Sequence, residues 1–170
     1  MFVEVFSDKG SKVTFYTIRK EDAAIFETEA FFRNVHNSDY KEDVYKLTRL
    51  LSHTIANKYG AYDKYFNRHE QEATALPPKK FAAFKNEKIV SFAYSPLRLY
   101  ALKVSDSIVI LFNGGLKFTK GSAQNDPNVS IHFYQANEYA KKIREAIREG
   151  MIIVEDKTMT DFQGNTEILI

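Results

Sequence analysis

Phe133, Ala136, Ala140, Ile143 and Ile147 recur three and four residues apart, so all five lie along one face of a helix. A stripe of that kind has to be buried against a second layer, and the segments before it supply one. Residues 88–93, 97–104 and 107–112 are short, rich in β-branched and aromatic side chains, and separated by Tyr-Ser-Pro and Ser-Asp. They read as a meandering antiparallel sheet that closes at Asn113-Gly114-Gly115. Gly150 stops the helix, residues 151–154 read as a further strand, and the chain ends Thr-Glu-Ile-Leu-Ile.

Upstream, residues 2–6 and 12–18 alternate apolar and polar side chains around Ser7-Asp8-Lys9-Gly10, the pattern of a β-hairpin. Glu21-Asp22 open a first helix through about Asn34, with acids where a helix N-terminus favours them. Ser38-Asp39 can cap a second, in which Tyr40, Val44, Leu47, Leu51 and Ile55 form one stripe ending near Gly60. Two such helices in sequence predict a helical hairpin. His36 and His53 carry no partner pattern and are expected to be structural or exposed. Residues 61–80 are polar and irregular and read as a long loop. The expectation is therefore one α+β domain over residues 1–170: an N-terminal β-hairpin and helical hairpin, then an antiparallel sheet and a C-terminal helix. The 44% hydrophobic share of 170 residues suits a single core.

Several function classes lack support. No apolar run approaches the roughly 20 residues of a membrane span. The N-terminus has neither a basic n-region nor a small-residue cleavage site, which predicts no secretory signal. Zero cysteines exclude disulfides, a thiol nucleophile and cysteine-ligated zinc, and agree with a reducing cytoplasm. Four histidines without HxxxH or HExxH spacing predict no metal site. There is no P-loop, dinucleotide fingerprint or GxSxG, so no cofactor is expected, and Gly114-Gly115 reads as a turn in preference to a phosphate cradle.

Charge is more informative. The total is only +2, yet residues 77–148 hold twelve Lys/Arg against five acids, a local +7 that leaves −5 elsewhere. A chain polarised in this way can present a cationic face to a polyanion. The polar and cationic candidates along that segment are Lys79, Lys80, Lys85, Arg98, Lys103, Lys117, Lys120, His132 and Tyr134. Metal-free RNA cleavage needs a base for the 2′-hydroxyl, cations for the phosphate and an acid for the departing oxygen, roles that these residue types can fill. Strand alternation sets Arg98, Tyr100 and Leu102 opposite Leu97, Leu99 and Ala101, which predicts an exposed Arg98.

The run Leu97-Arg-Leu-Tyr-Ala-Leu-Lys103, then Ser-Asp, then Ile108-Val-Ile-Leu-Phe-Asn-Gly-Gly-Leu-Lys-Phe-Thr-Lys120 resembles the C-terminal half of RelE/HigB-like toxins of bacterial toxin–antitoxin pairs. In the resemblance Arg98 takes the arginine position, Gly114 the glycine, Lys117 and Thr119 the strand exit and Ala136 the helix alanine; Phe118 stands where a second basic residue is usual. With the helical hairpin it covers about residues 12–148. It implies a RelE-like domain that enters the ribosomal A site and cleaves mRNA without a metal, held in check by an antitoxin, for instance one of helix-turn-helix type. The implied roles are Arg98 on the scissile phosphate, Lys117 and Lys120 adding positive field, and His132 or Tyr134 in proton transfer, with Lys79, Lys80, Lys85 and Lys103 along the RNA. Two other readings stand beside it. One is a non-catalytic RNA- or protein-binding module of the same fold, favoured by 24 Phe and Tyr residues. The other is an interaction domain whose Glu-Ile-Leu-Ile tail adds as an edge strand to a partner or, in a homodimer, to a second copy.

Overall fold

The computed structural model describes residues 1–79, 92 and 94–170. The strand expected at 88–93 and the candidates Lys80 and Lys85 lie outside the described residues, apart from Phe92, which is buried.

The N-terminal hairpin forms as expected from β1 (Phe2–Ser7) and β2 (Thr14–Arg19). Helix α1 spans Glu27–His36 and starts later than the acids at 21–22 suggest, because residues 20–23 close a turn through the Ala23 amide and Lys20 carbonyl. What fixes its start is tertiary. Thr28 Oγ1 donates to the Leu111 carbonyl at 3.0 Å, so the Thr17 hydroxyl, 2.7 Å away, donates to Thr28. Helix α2 (Lys41–Arg49) runs on as a π-helix over Leu50–Tyr59 and ends at Gly60, whose φ of +94° favours glycine. Leu47, Leu51 and Ile55 of the expected stripe are buried, and His36 and His53 are exposed.

The region read as a long loop is a correction: it contains β3 (His69–Glu70) and β4 (Ala73–Leu76), with β4 inside the sheet. Four residues of Ala-Thr-Ala-Leu carry little strand propensity of their own; they are held by the ladder to β5 (Leu97–Lys103) and by Asn137, whose side-chain oxygen accepts from the Ala73 amide at 2.9 Å. Strand β6 runs from Ile108 to Leu116, so Gly114-Gly115 lie within a strand and do not form the expected turn.

Seven strands make one sheet in the order β3-β4-β5-β6-β2-β1-β9. β5 and β6 pair antiparallel as expected, and the N-terminal hairpin joins the same sheet through a parallel β2–β6 pairing, which makes the sheet mixed. The long helical connection leaving β2 permits that direction. Helix α3 (Ser130–Arg148) buries Phe133, Ala136, Ala140 and Ile143 on one sheet face, while α1, α2 and the π-helix cover the other. The segment after Gly150 pairs in a small hairpin of its own, β7 (Ile152–Glu155) with β8 (Thr158–Asp161). The tail strand β9 (Ile168–Leu169) pairs with β1 of its own chain and forms one edge of the sheet. Among the described residues no helix is long and apolar enough to cross a membrane.

Candidate functional site

Both faces of β5 are covered, so its alternation does not mark a solvent side. Leu97, Leu99 and Ala101 pack toward the helical hairpin and Tyr100 and Leu102 toward α3. Arg98, expected to be exposed, is only half-exposed; its Nη1 donates to the carbonyls of Ser95 at 3.1 Å and Leu97 at 2.6 Å. Gly114 sets this stretch. The β5–β6 ladder shifts register between Leu99 and Ala101, and a Cβ on Gly114 would lie 1.8 Å from the Arg98 carbonyl oxygen. Only glycine lets the two backbones approach so closely.

Glu70 sits at the sheet edge with two arginines and two lysines in electrostatic reach. Burial raises its pKa above the ordinary carboxylate range against the pull of Arg98, Arg68, Lys79 and Lys117. No ion pair joins Glu70 to any of them among the described residues, since none comes within 4 Å. Burial, with neighbouring Arg98, pushes Arg68 down to about 10, which leaves it charged at neutral pH; its Nε donates to the Pro77 carbonyl. Burial likewise lowers Arg98, and Glu70, Tyr100 and Asp126 oppose it. Beneath the group, Tyr100 is fully buried and its hydroxyl has no hydrogen-bond partner among the described residues; burial and Glu70 keep it protonated.

The start of α3 closes the other flank. Asp126 accepts from the amides of Thr119, Asn128 and Phe118, which fixes the loop leaving β6 and holds its carboxyl below the usual range despite burial. Gly115 is the cross-strand partner of Arg98, and a Cβ there would face Asn128, Val129 and, at 3.9 Å, the His132 ring. His132 therefore lies over the strand position beside Arg98. Its Nδ1 is buried without a partner, and burial lowers its pKa, with Glu27 opposing and Lys20 assisting. The charges that act on His132 are thus Glu27 and Lys20, whereas Arg98 answers to Glu70 and Asp126.

The candidates read from the sequence divide accordingly. Arg98, Lys117 and Lys79 gather around Glu70, although the Lys117 ammonium also donates to the Thr119 carbonyl, and His132 lies over Gly115 on the neighbouring strand. Lys120 is exposed beyond the strand. Tyr134 is 57% exposed, its ring edge-on to Phe133, which in turn packs on Tyr100 at 6.2 Å. Lys103 lies five residues along β5 from Arg98, roughly 16 Å away, and is committed to Asp63 and Asp106 at 2.5 and 2.7 Å. Arg68, Glu70 and Tyr100 escape a sequence reading, since the first two fall in an irregular stretch and the third looks like core. Among the described residues no three His, Cys, Asp or Glu side chains converge to hold a metal ion.

Comparison of the chain with protein-family models, with curated proteins and with solved structures gave no match in any of the three.

Proposed function

We propose that this protein binds RNA across Arg98, Arg68, Lys79 and Lys117 and cleaves it without a metal, acting as a RelE/HigB-like mRNA endoribonuclease. The observation that carries the proposal is the gathering of Arg98, Arg68, Lys79 and Lys117 around Glu70, a half-buried carboxyl whose pKa burial raises, so that a proton donor stands among cations able to hold a phosphate, with His132, its pKa lowered by burial and its ring therefore neutral at pH 7, over the neighbouring strand position Gly115. His132, with Nδ1 buried, takes the 2′-hydroxyl proton at Nε2 as that oxygen attacks phosphorus. Glu70 gives its proton to the 5′-oxygen as the P–O bond breaks, leaving a 2′,3′-cyclic phosphate and a 5′-hydroxyl. Arg98 and Arg68 stabilise the charge on the phosphoryl oxygens. Of His132 and Tyr134, expected as alternatives in proton transfer, this reading takes His132 and adds Glu70. The order of elements, a helical hairpin, an arginine-bearing strand, a glycine-containing strand and a basic helix, supports the resemblance. From that resemblance come the ribosome as place of action, a cytoplasmic setting and an antitoxin as partner.

A second reading, a non-catalytic RNA-binding module, is favoured by the Arg98 Nη1 bonds, which leave the guanidinium only part of its donors for phosphate. Primer extension on mRNA in a cell-free translation reaction separates the two. Cuts lost in Glu70→Gln and Arg98→Ala support cleavage; RNA binding with a steep salt dependence and no cuts selects the binding module.

A further inference from the structure

Three irregularities of the fold meet at one place on the sheet face opposite the candidate site. In β1 the pairing skips from Val5↔Tyr16 to Ser7↔Phe15, which makes Phe6 the extra residue of a β-bulge. Across from it runs the π-helix Leu50–Tyr59. Between them the hairpin turn presses Gly10 so closely on the helix that a Cβ there would come within 2.6 Å of the Ala56 carbonyl oxygen. That same oxygen accepts the Lys12 and Val13 amides at 2.7 and 3.1 Å. Bulges and π-turns re-aim side chains and concentrate at functional sites.

What they enclose is a cleft of about 380 Å³, walled by Phe6, Phe15, Phe32, Leu51 and Leu111 with Lys9 at its mouth. That volume falls within the roughly 300–1,000 Å³ of small-ligand pockets. Lys9 is exposed and makes no ion pair among the described residues. An apolar interior with one unpaired cation at the rim complements an aliphatic chain that ends in an anion.

We infer that this cleft is a binding site for a medium-chain carboxylate, whose chain lies along Leu51 and Leu111 and whose carboxylate meets Lys9. The site is independent of the RNA reading.

Decanoate, below its aggregation concentration, is titrated into the full chain by calorimetry and by NMR of the Leu and Ile methyl groups. Saturable binding is expected, with shifts at Leu51 and Leu111, an affinity about fivefold lower in Lys9→Ala, and a similar deficit for decanol on the wild type, as suits a partly exposed ion pair. Ser52→Phe, which fills the cleft from an exposed lining position, is expected to abolish binding with the circular dichroism spectrum unchanged. Methyl groups unmoved by decanoate, binding that survives Ser52→Phe, or equal affinity for decanol would overturn the proposal.

Discussion

Gly114 is the residue with least freedom in the sheet. A methyl group 1.8 Å from a backbone oxygen cannot be relieved by a rotamer change, so Gly114→Ala is expected to cost about 3 kcal/mol or more in denaturant unfolding. Gly121→Ala, with open space around it, should be neutral within about 0.5 kcal/mol. Glu70 gives a test of sign. Its pKa is raised by folding, so the folded state holds its proton more tightly, and stability falls as pH climbs through the window from the ordinary carboxylate value to the folded one. Glu70→Gln removes that loss. Its melting temperature should exceed the wild type by a few degrees at pH 7, and the difference should close below about pH 4. His132 works in the opposite direction in the same assay. Its pKa is lowered, so its contribution is complete above about pH 6.5 and is lost as pH falls from there, and His132→Gln should flatten that limb.

At the scale of elements, periodicity made the helices legible. The Leu47–Leu51–Ile55 and Phe133–Ala136–Ala140–Ile143 stripes are the buried faces of α2 with its π-helix and of α3. What escaped was whatever depends on a partner distant in sequence. β4 owes its place to β5 and Asn137, the parallel β2–β6 pairing to the connection between them, and the late start of α1 to Thr17 and Leu111. The candidate site was half legible for the same reason. Arg98 and His132 stand out in a cationic segment, but Glu70 acquires its character only when Arg68, Arg98 and burial surround it. Thr28→Val tests the α1 anchor: it leaves the Leu111 carbonyl and Thr17 hydroxyl without that partner in a buried place and should cost about 1–3 kcal/mol in urea unfolding.

For the whole molecule, the sheet is closed at one end by its own tail. Ile168 is fully buried, and the Ile170 amide donates to the Met1 carbonyl at 3.0 Å while the Met1 ammonium donates to the Ile170 carbonyl. Ile168→Ala should lower stability by about 2–4 kcal/mol without altering the elution volume in size-exclusion chromatography; a change of oligomeric state would restore the tail as an intermolecular strand. The polarised charge is likewise a property of the molecule, and it predicts RNA affinity that falls steeply with salt.

The central claim is that Arg98, Glu70 and His132 act together on a phosphodiester. It is tested most directly by mapping mRNA ends by primer extension in a translating extract, with wild type, Glu70→Gln and Arg98→Ala matched for fold by circular dichroism. The account predicts discrete cuts by the wild type that fall by about 10²–10⁴ in Glu70→Gln and vanish in Arg98→Ala. Cuts of equal strength from a folded Glu70→Gln, or none from the wild type, would contradict it.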